Sequence, residues 1–162
     1  MDSIDVEIDS FTSEDGEEYR HVALVLNGTK VPGTFDEYSL FISTLNRLTR
    51  TEILTCSCGC PGCAGIDYGT VIKLRRNTVE WRDIDSGLPK RFYSFDKSEY
   101  LRAVDKTTDL LKEICRFNKN LRRGDDWYDR IRLVDESNVD DALAWYTKNW
   151  AWYKRPENAK SY

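Results

Sequence analysis

Apolar and polar residues alternate at two different periods along this chain. Near the N-terminus, Ile4, Val6 and Ile8 alternate with mostly acidic residues, which is the period-two pattern of a half-buried strand. The run Tyr19–Leu26 is rich in β-branched and apolar residues and stops at the turn pair Asn27-Gly28. This segment therefore predicts a β-hairpin.

The period changes after Phe35, where apolar residues recur at three- and four-residue steps. That spacing predicts a helix from Asp36 to Thr49, with Thr34 or Asp36 as its N-cap. Short apolar runs then predict a meander of antiparallel strands over Glu52–Thr55, Gly69–Leu74, Thr78–Ile84 and Pro89–Phe95.

Two more helices are predicted in the C-terminal half. Asp96 and Glu99 have the spacing of a capping box, so we expect a long helix to begin there and to end near Asn118. A further strand is predicted over Trp127–Val134, and a last helix from Glu136 to about Tyr153. The apolar stripe of the long helix comprises Leu101, Val104, Thr108, Leu111 and Cys115.

These elements predict an α+β fold. We expect an antiparallel sheet of about five or six strands, with the long helix packed on one face and the other helices at its ends. A chain of 162 residues is long enough to bury one core and too short for two. The prediction is therefore a single domain over residues 1–155 and a polar C-terminal tail over residues 156–162.

The composition of the chain limits which partners and which location we expect for it. The net charge of -4 and pI near 5.1 lack the basic balance of a general nucleic-acid binder, and favour a basic protein partner. The N-terminus has no secretory signal pattern, and no apolar run is long enough to span a membrane. We therefore expect a cytoplasmic protein whose thiols stay reduced.

Four of the five cysteines fall within a short glycine-containing segment, as Cys56, Cys58, Cys60 and Cys63. The last two have the two-residue spacing and glycine turn of zinc and iron knuckles. A zinc ribbon, however, takes its second cysteine pair from some fifteen to twenty residues away. Three interpretations stay open. The first is a metal site made by these four thiolates, the second is a site made by two or three of them with Cys115 or His21, and the third is small residues that pack a sharp turn.

The same segment resembles a motif of small uncharacterised bacterial proteins. The resemblance rests on Cys56-Ser-Cys-Gly59, then Gly62-Cys-Ala-Gly65 and the strand Val79-Glu-Trp81, and it covers about residues 52–82. Proteins of this kind are similar in size and acidity to the immunity proteins of polymorphic and contact-dependent toxin systems. The resemblance implies such a role, and it transfers no catalytic residue. Cys60 lies at a position where this motif is expected to have a variable residue.

The last helix carries more aromatic residues than one packed face needs. Val139, Leu143, Tyr146, Trp150 and Tyr153 form one stripe, while Trp145 and Trp152 lie about a third of a turn away. One interpretation buries the stripe and leaves the acidic neighbours as a solvated surface. The other predicts an exposed partner-binding surface, made of Asp125, Asp126, Trp127, Asp129, Asp140, Asp141, Trp145 and Trp152.

Basic pairs form a second candidate surface, for phosphate contact and base stacking. Its residues are Arg75, Arg76, Lys90, Arg91, Arg122 and Arg123, with Trp81, Phe92 and Tyr93 between them. Basic pairs on turns and edge strands are more often devices against aggregation. His21 is the only histidine, and a structural role is favoured for it.

Taken together, the sequence favours a non-enzymatic binding protein. The leading hypothesis is an immunity protein that binds and neutralises a cognate bacterial toxin, with a basic, nuclease-like domain as its partner and no membrane or nucleic-acid ligand. The first alternative is a small zinc-binding structural or regulatory module. The second is a cysteine-dependent enzyme.

Overall fold

The fold is α+β, and the computed structural model describes residues 1–12, 14, 16–32, 34–55, 69–82, 84, 88–118 and 136–153. Its helices are α1 (Glu37–Thr44), α2 (Lys97–Asn118) and α3 (Glu136–Tyr153). Its strands are β1 (Ile4–Thr12), β2 (Glu18–Leu26), β3 (Thr29–Lys30), β4 (Thr34–Phe35), β5 (Leu48–Thr51), β6 (Leu54–Thr55), β7 (Thr70–Leu74), β8 (Thr78–Arg82) and β9 (Tyr93–Asp96).

The N-terminal hairpin is confirmed. β1 and β2 pair antiparallel along their whole length, with Ile4 opposite Leu26. Asn27 and Gly28 both have positive φ, 52° and 74°, as a two-residue hairpin turn requires, and they connect β2 to β3. The result is a three-stranded sheet in the order β1-β2-β3.

The predicted meander is confirmed for its last three strands, since β7, β8 and β9 pair antiparallel in sequence order. β5 adds to the free side of β7, which completes a four-stranded sheet in the order β5-β7-β8-β9. β6 does not join this sheet, because it pairs with β4 in a separate two-stranded ribbon.

The prediction of one sheet with five or six strands is wrong. Within the described ranges, the two main sheets of three and four strands meet only at a single parallel bridge between Asp2 and Phe95. The Asp2 amide donates to the Ser94 carbonyl at 2.8 Å at this joint. β9 ends at Asp96 and the chain enters α2 at once, so no length of β9 remains to pair with β1.

α1 is shorter than predicted, because it ends at Thr44 instead of Thr49. Asp36 is its N-cap, as expected, and accepts a hydrogen bond from the Tyr38 amide. At the other end, the Ser43 and Thr44 hydroxyls donate to carbonyls three residues back, which competes with continuation of the helix. The following residues form β5 instead.

α2 begins and ends where the sequence predicts. The Asp96 carboxylate accepts from the amides of Ser98 and Glu99, at 2.8 and 3.2 Å. Leu101 is exposed, so the predicted apolar stripe is rotated slightly. The buried side consists of Tyr100, Ala103, Val104, Thr107, Leu111, Ile114 and Cys115.

α2 lies across strands of both main sheets and holds them together over one core. At the centre of that core, the Trp81 indole donates to the Tyr100 hydroxyl at 3.2 Å. The Tyr100 hydroxyl is also hydrogen-bonded to the Ser43 hydroxyl, at 2.7 Å. A polar chain therefore ties β8, α2 and α1 together inside the core.

Some backbone amides on the outer edge of β1 are hydrogen-bonded by side chains of β1 itself. The Asn27 amide donates to the Ser3 carbonyl, so odd-numbered residues of β1 bond to β2 and even-numbered ones face away. Two of these outward amides, those of Val6 and Ser10, donate to the carboxylates of the residues just before them. The distances are 2.8 Å to Asp5 and 3.0 Å to Asp9.

Two predictions fall outside the described residues: the strand over Trp127–Val134 and the polar tail over residues 156–162. None of the described helices is long and apolar enough to cross a membrane.

Candidate partner-binding surface

α3 docks on α1 and α2 through the stripe that the sequence predicts. Val139 is fully buried, and Leu143 and Tyr146 are half-buried. The Tyr146 ring lies against the ring of Tyr38 on α1, with 5.5 Å between centroids. For the side chains that the structure describes, the stripe is therefore confirmed as the packed side of α3.

Trp145 lies off that stripe and is 50% exposed, as the partner-binding interpretation requires. Its ring meets Tyr146 edge to face, with centroids 5.3 Å apart. The two contacts make an aromatic series that runs from the α1–α3 junction out to the surface. Because Tyr146 is held by Tyr38, the exposed indole rests on a fixed neighbour.

The acidic residues beside Trp145 differ in what they bond. Asp140 forms an ion pair with Lys112 of α2 at 2.8 Å, so its carboxylate helps to hold α3 in place. Asp141 is exposed on the same helix. The other predicted members, Asp125, Asp126, Trp127, Asp129 and the side chain of Trp152, lie outside the described residues.

A neutral phenol lies in the junction between α1 and α3 beneath this surface. The Tyr38 hydroxyl is buried and has no hydrogen-bond partner among the described atoms. Burial raises the pKa of Tyr38 well above its ordinary range, and the nearby Cys115 and Glu37 raise it further. The phenol therefore stays neutral in the physiological pH range.

The cysteine-rich segment is held at both ends by strands. Before it, β6 pairs with β4, and after it, Thr70 of β7 lies opposite Thr51 of β5. Gly69 has a φ of +66°, and a Cβ there would lie 2.9 Å from the Thr51 carbonyl oxygen, so only glycine fits this return to the sheet. The cysteines themselves, Cys56, Cys58, Cys60 and Cys63, lie outside the described residues.

Glu52 stands just before this segment and was not singled out by the sequence. Its side chain is half-buried, and burial raises its pKa, with the negative charge of Asp36 adding to the effect. No sequence motif marks it, since the burial depends on how α1 packs beside β5.

Cys115 and His21 lie on opposite faces of the three-stranded sheet. Cys115 is buried on α2, which packs on the inner face that carries Val22. His21 is on the outer face, with its Nε2 4.0 Å from an Asp9 carboxylate oxygen and its ring 5.9 Å from Phe11. The two residues are therefore not neighbours, and the described residues contain no cluster of three or more metal-ligating side chains.

The predicted stacking surface is partly wrong. Trp81 and Tyr93 are core residues, 0% and 1% exposed, because they lie on the inner face of the four-stranded sheet. Phe92 is 48% exposed, as a stacking residue must be. Lys90 pairs with Asp2, and Arg122 and Arg123 lie outside the described residues.

Comparisons with protein-family models, with curated proteins and with solved structures found no match to this chain.

Proposed function

We propose that this chain is a non-enzymatic binding protein, an immunity protein that neutralises a cognate bacterial toxin domain. The observation that carries the proposal is the half-exposed Trp145 beside exposed Asp141 on a helix docked through Val139 and Tyr146. Exposed tryptophan on a rigid support is a favoured anchor at protein interfaces, because little conformational freedom is lost when a partner covers it.

The expected mechanism is steric and electrostatic. Nucleases present basic clefts to their substrates, and a carboxylate such as that of Asp141 attracts such a surface over a distance and orients its approach. Trp145 then anchors the complex by burying its indole. The substrate is excluded because the protein occupies the cleft.

The first experiment is a native mass spectrum of the protein isolated from its own cells at natural abundance. We expect a complex with one additional polypeptide whose sequence is basic. Production of that polypeptide alone should arrest growth, and production of this chain together with it should restore growth. A bound polypeptide with no toxicity would overturn the proposal.

Two substitutions in the purified complex test separately the role of Trp145 in dissociation and the role of Asp141 in association. Trp145→Ala should raise the dissociation rate at least about tenfold with little change in association. Asp141→Lys should slow association and reduce its dependence on salt. Asp140 is less suitable for this test, because its substitution also breaks the ion pair with Lys112.

Thr147→Ala is the matched control, since Thr147 is exposed on the same helix. It should leave both rates unchanged. If Trp145→Ala and Asp141→Lys behave like this control, the α3 surface is not the binding site.

A further inference from the structure

One face of the four-stranded sheet is open within the part of the chain that the structure describes. The opposite face carries Trp81 and Tyr93, which are buried where α1 and α2 contribute Ser43 and Tyr100 to the core. Because side chains alternate along a strand, Arg82 and Phe92 point the other way. Both are exposed, as expected for a face that none of the three helices covers.

The strand register aligns a row of side chains across this open face. Arg50 of β5 lies opposite Val71 of β7, and Val71 lies opposite Arg82 of β8. Phe92 continues the row, since the Arg82 guanidinium lies 5.6 Å from the centroid of its ring. At a strand spacing of about 4.8 Å, the row extends for about 14 Å.

The same face is rich in positive charge. Lys73 and Arg75 lie beside the row. Among the residues that the structure describes, four cationic side chains therefore share the face with two carboxylates, Glu80 and Asp96. Glu80 accepts hydrogen bonds from Arg75 at 3.3 Å and from Arg82 at 2.8 Å, which holds both guanidiniums on this side of the sheet. The chain as a whole carries a net charge of -4, whereas the described residues of this face carry more positive than negative charge.

We propose that the open face, defined by Arg50, Lys73, Arg75, Arg82 and Phe92, binds single-stranded nucleic acid. Guanidinium groups match phosphate geometry, and an exposed aromatic ring stacks on any base. A single strand is required because the bases of a duplex are already stacked. Negative charge elsewhere on the protein repels phosphates and confines the strand to this face.

This proposal does not depend on the function assigned to α3. The open face and the α3 surface are made of different residues, and they attract opposite charges. The face shares Arg75 and Phe92 with the surface that the sequence suggested. It adds Arg50, Lys73 and Arg82, because only the strand register places Arg50 and Arg82 in one row on either side of Val71.

The test is fluorescence anisotropy of the full chain with a labelled oligothymidylate of about fifteen nucleotides. We expect binding that weakens as salt is raised. Arg82→Ala should lower the affinity and reduce the slope of log affinity against log salt by about 0.7, the value for one phosphate contact on a single strand. Phe92→Ala should lower the affinity about tenfold and leave that slope unchanged, because stacking involves no ion release.

A loss of affinity can also result from damage to the fold, so a variant that is expected to gain affinity is included. Glu80→Gln removes the carboxylate that competes with phosphate for Arg75 and Arg82, so it should raise the affinity several-fold. Arg102→Ala is the matched control, because Arg102 is exposed on α2 and not on this face. It should bind like the unchanged protein.

Two outcomes would overturn the proposal. The first is the absence of salt-dependent binding to the oligonucleotide by the folded protein. The second is equally tight binding of labelled polyglutamate with the same response to Arg82→Ala, since this would make the face a site for acidic protein segments.

Discussion

At the scale of single residues, Asp2 joins two sheets that no strand pairing unites. Its carboxylate accepts hydrogen bonds from the Asn27 side chain at 2.9 Å and from the Ser94 amide at 3.1 Å, and it pairs with Lys90. Partial burial by itself would raise its pKa, but the hydrogen bonds from Lys90, Asn27 and Ser94 outweigh that effect and lower it from 3.8 to about 2. The ionised carboxylate therefore stabilises the folded state.

Replacement of Asp2 by asparagine should expose this contribution. The folded pKa is lower than the unfolded one, so the stabilisation is complete above about pH 4 and is lost as the pH falls towards 2. Asp2→Asn should lower the free energy of unfolding at pH 7 by about 2 kcal/mol, and the difference from the unchanged protein should vanish near pH 2. Urea unfolding at several pH values measures this.

Asp105→Asn provides the comparison for Asp2→Asn, because Asp105 is exposed on α2. It should change the unfolding free energy by no more than about 0.5 kcal/mol. A loss at Asp2 that is the same at pH 2 and pH 7 would contradict the electrostatic explanation.

At the scale of elements, local signals predicted the structure well and long-range ones did not. The capping residues Asp36 and Asp96 mark the starts of α1 and α2 because the hydrogen bonds involved span two or three residues. The spacing of Leu48 predicts a place in the first helix, yet the residue is 60% exposed in β5. That strand exists because β7 offers it an edge, and β7 lies beyond the cysteine-rich segment.

The features of the candidate surfaces could likewise be predicted where they depend on nearby residues in the sequence, and not where they depend on distant ones. Exposure of Trp145 could be predicted because it lies off the stripe of its own helix. The ion pair between Lys112 and Asp140 could not, since it depends on how α2 and α3 cross. Burial of Trp81 likewise depends on which face of the sheet the helices cover, which strand alternation alone leaves undecided.

The N-cap of α2 gives a prediction at this scale. Asp96→Ala removes the acceptor for the Ser98 and Glu99 amides, so it should lower stability by about 1 kcal/mol and Tm by about 2–4 °C. Thermal unfolding followed by circular dichroism measures the shift. Asp109→Ala, at an exposed position inside α2, should not lower Tm, because alanine is the better helix former. Equal shifts in the two variants would contradict a capping role.

At the scale of the whole molecule, charge is separated between surfaces. β1 carries Asp5, Glu7 and Asp9, and α3 carries Asp140 and Asp141, while the open face of the four-stranded sheet carries Arg50, Lys73, Arg75 and Arg82. We therefore expect basic and acidic partners to approach different sides of the protein. The small net charge of the chain conceals this separation.

The cysteine-rich segment gives a prediction for the molecule as a whole. If Cys56, Cys58, Cys60 and Cys63 bind zinc, a chelator should lower Tm by several degrees, because metal release is coupled to unfolding of the strands at both ends of the segment. Cys63→Ser should remove the response to chelator, while Cys115→Ser should retain it. An unchanged Tm in chelator would favour the packing interpretation.

The acidic alternation of β1 also restricts how other proteins can recognise this one. A partner that extended the three-stranded sheet by one strand would need the outward amides of Val6 and Ser10. Those amides are already taken by Asp5 and Asp9, whose carboxylates also pair with Lys106 and Lys30. Strand addition along this rim would have to displace both carboxylates, so the rim of β1 resists edge-to-edge pairing with another chain.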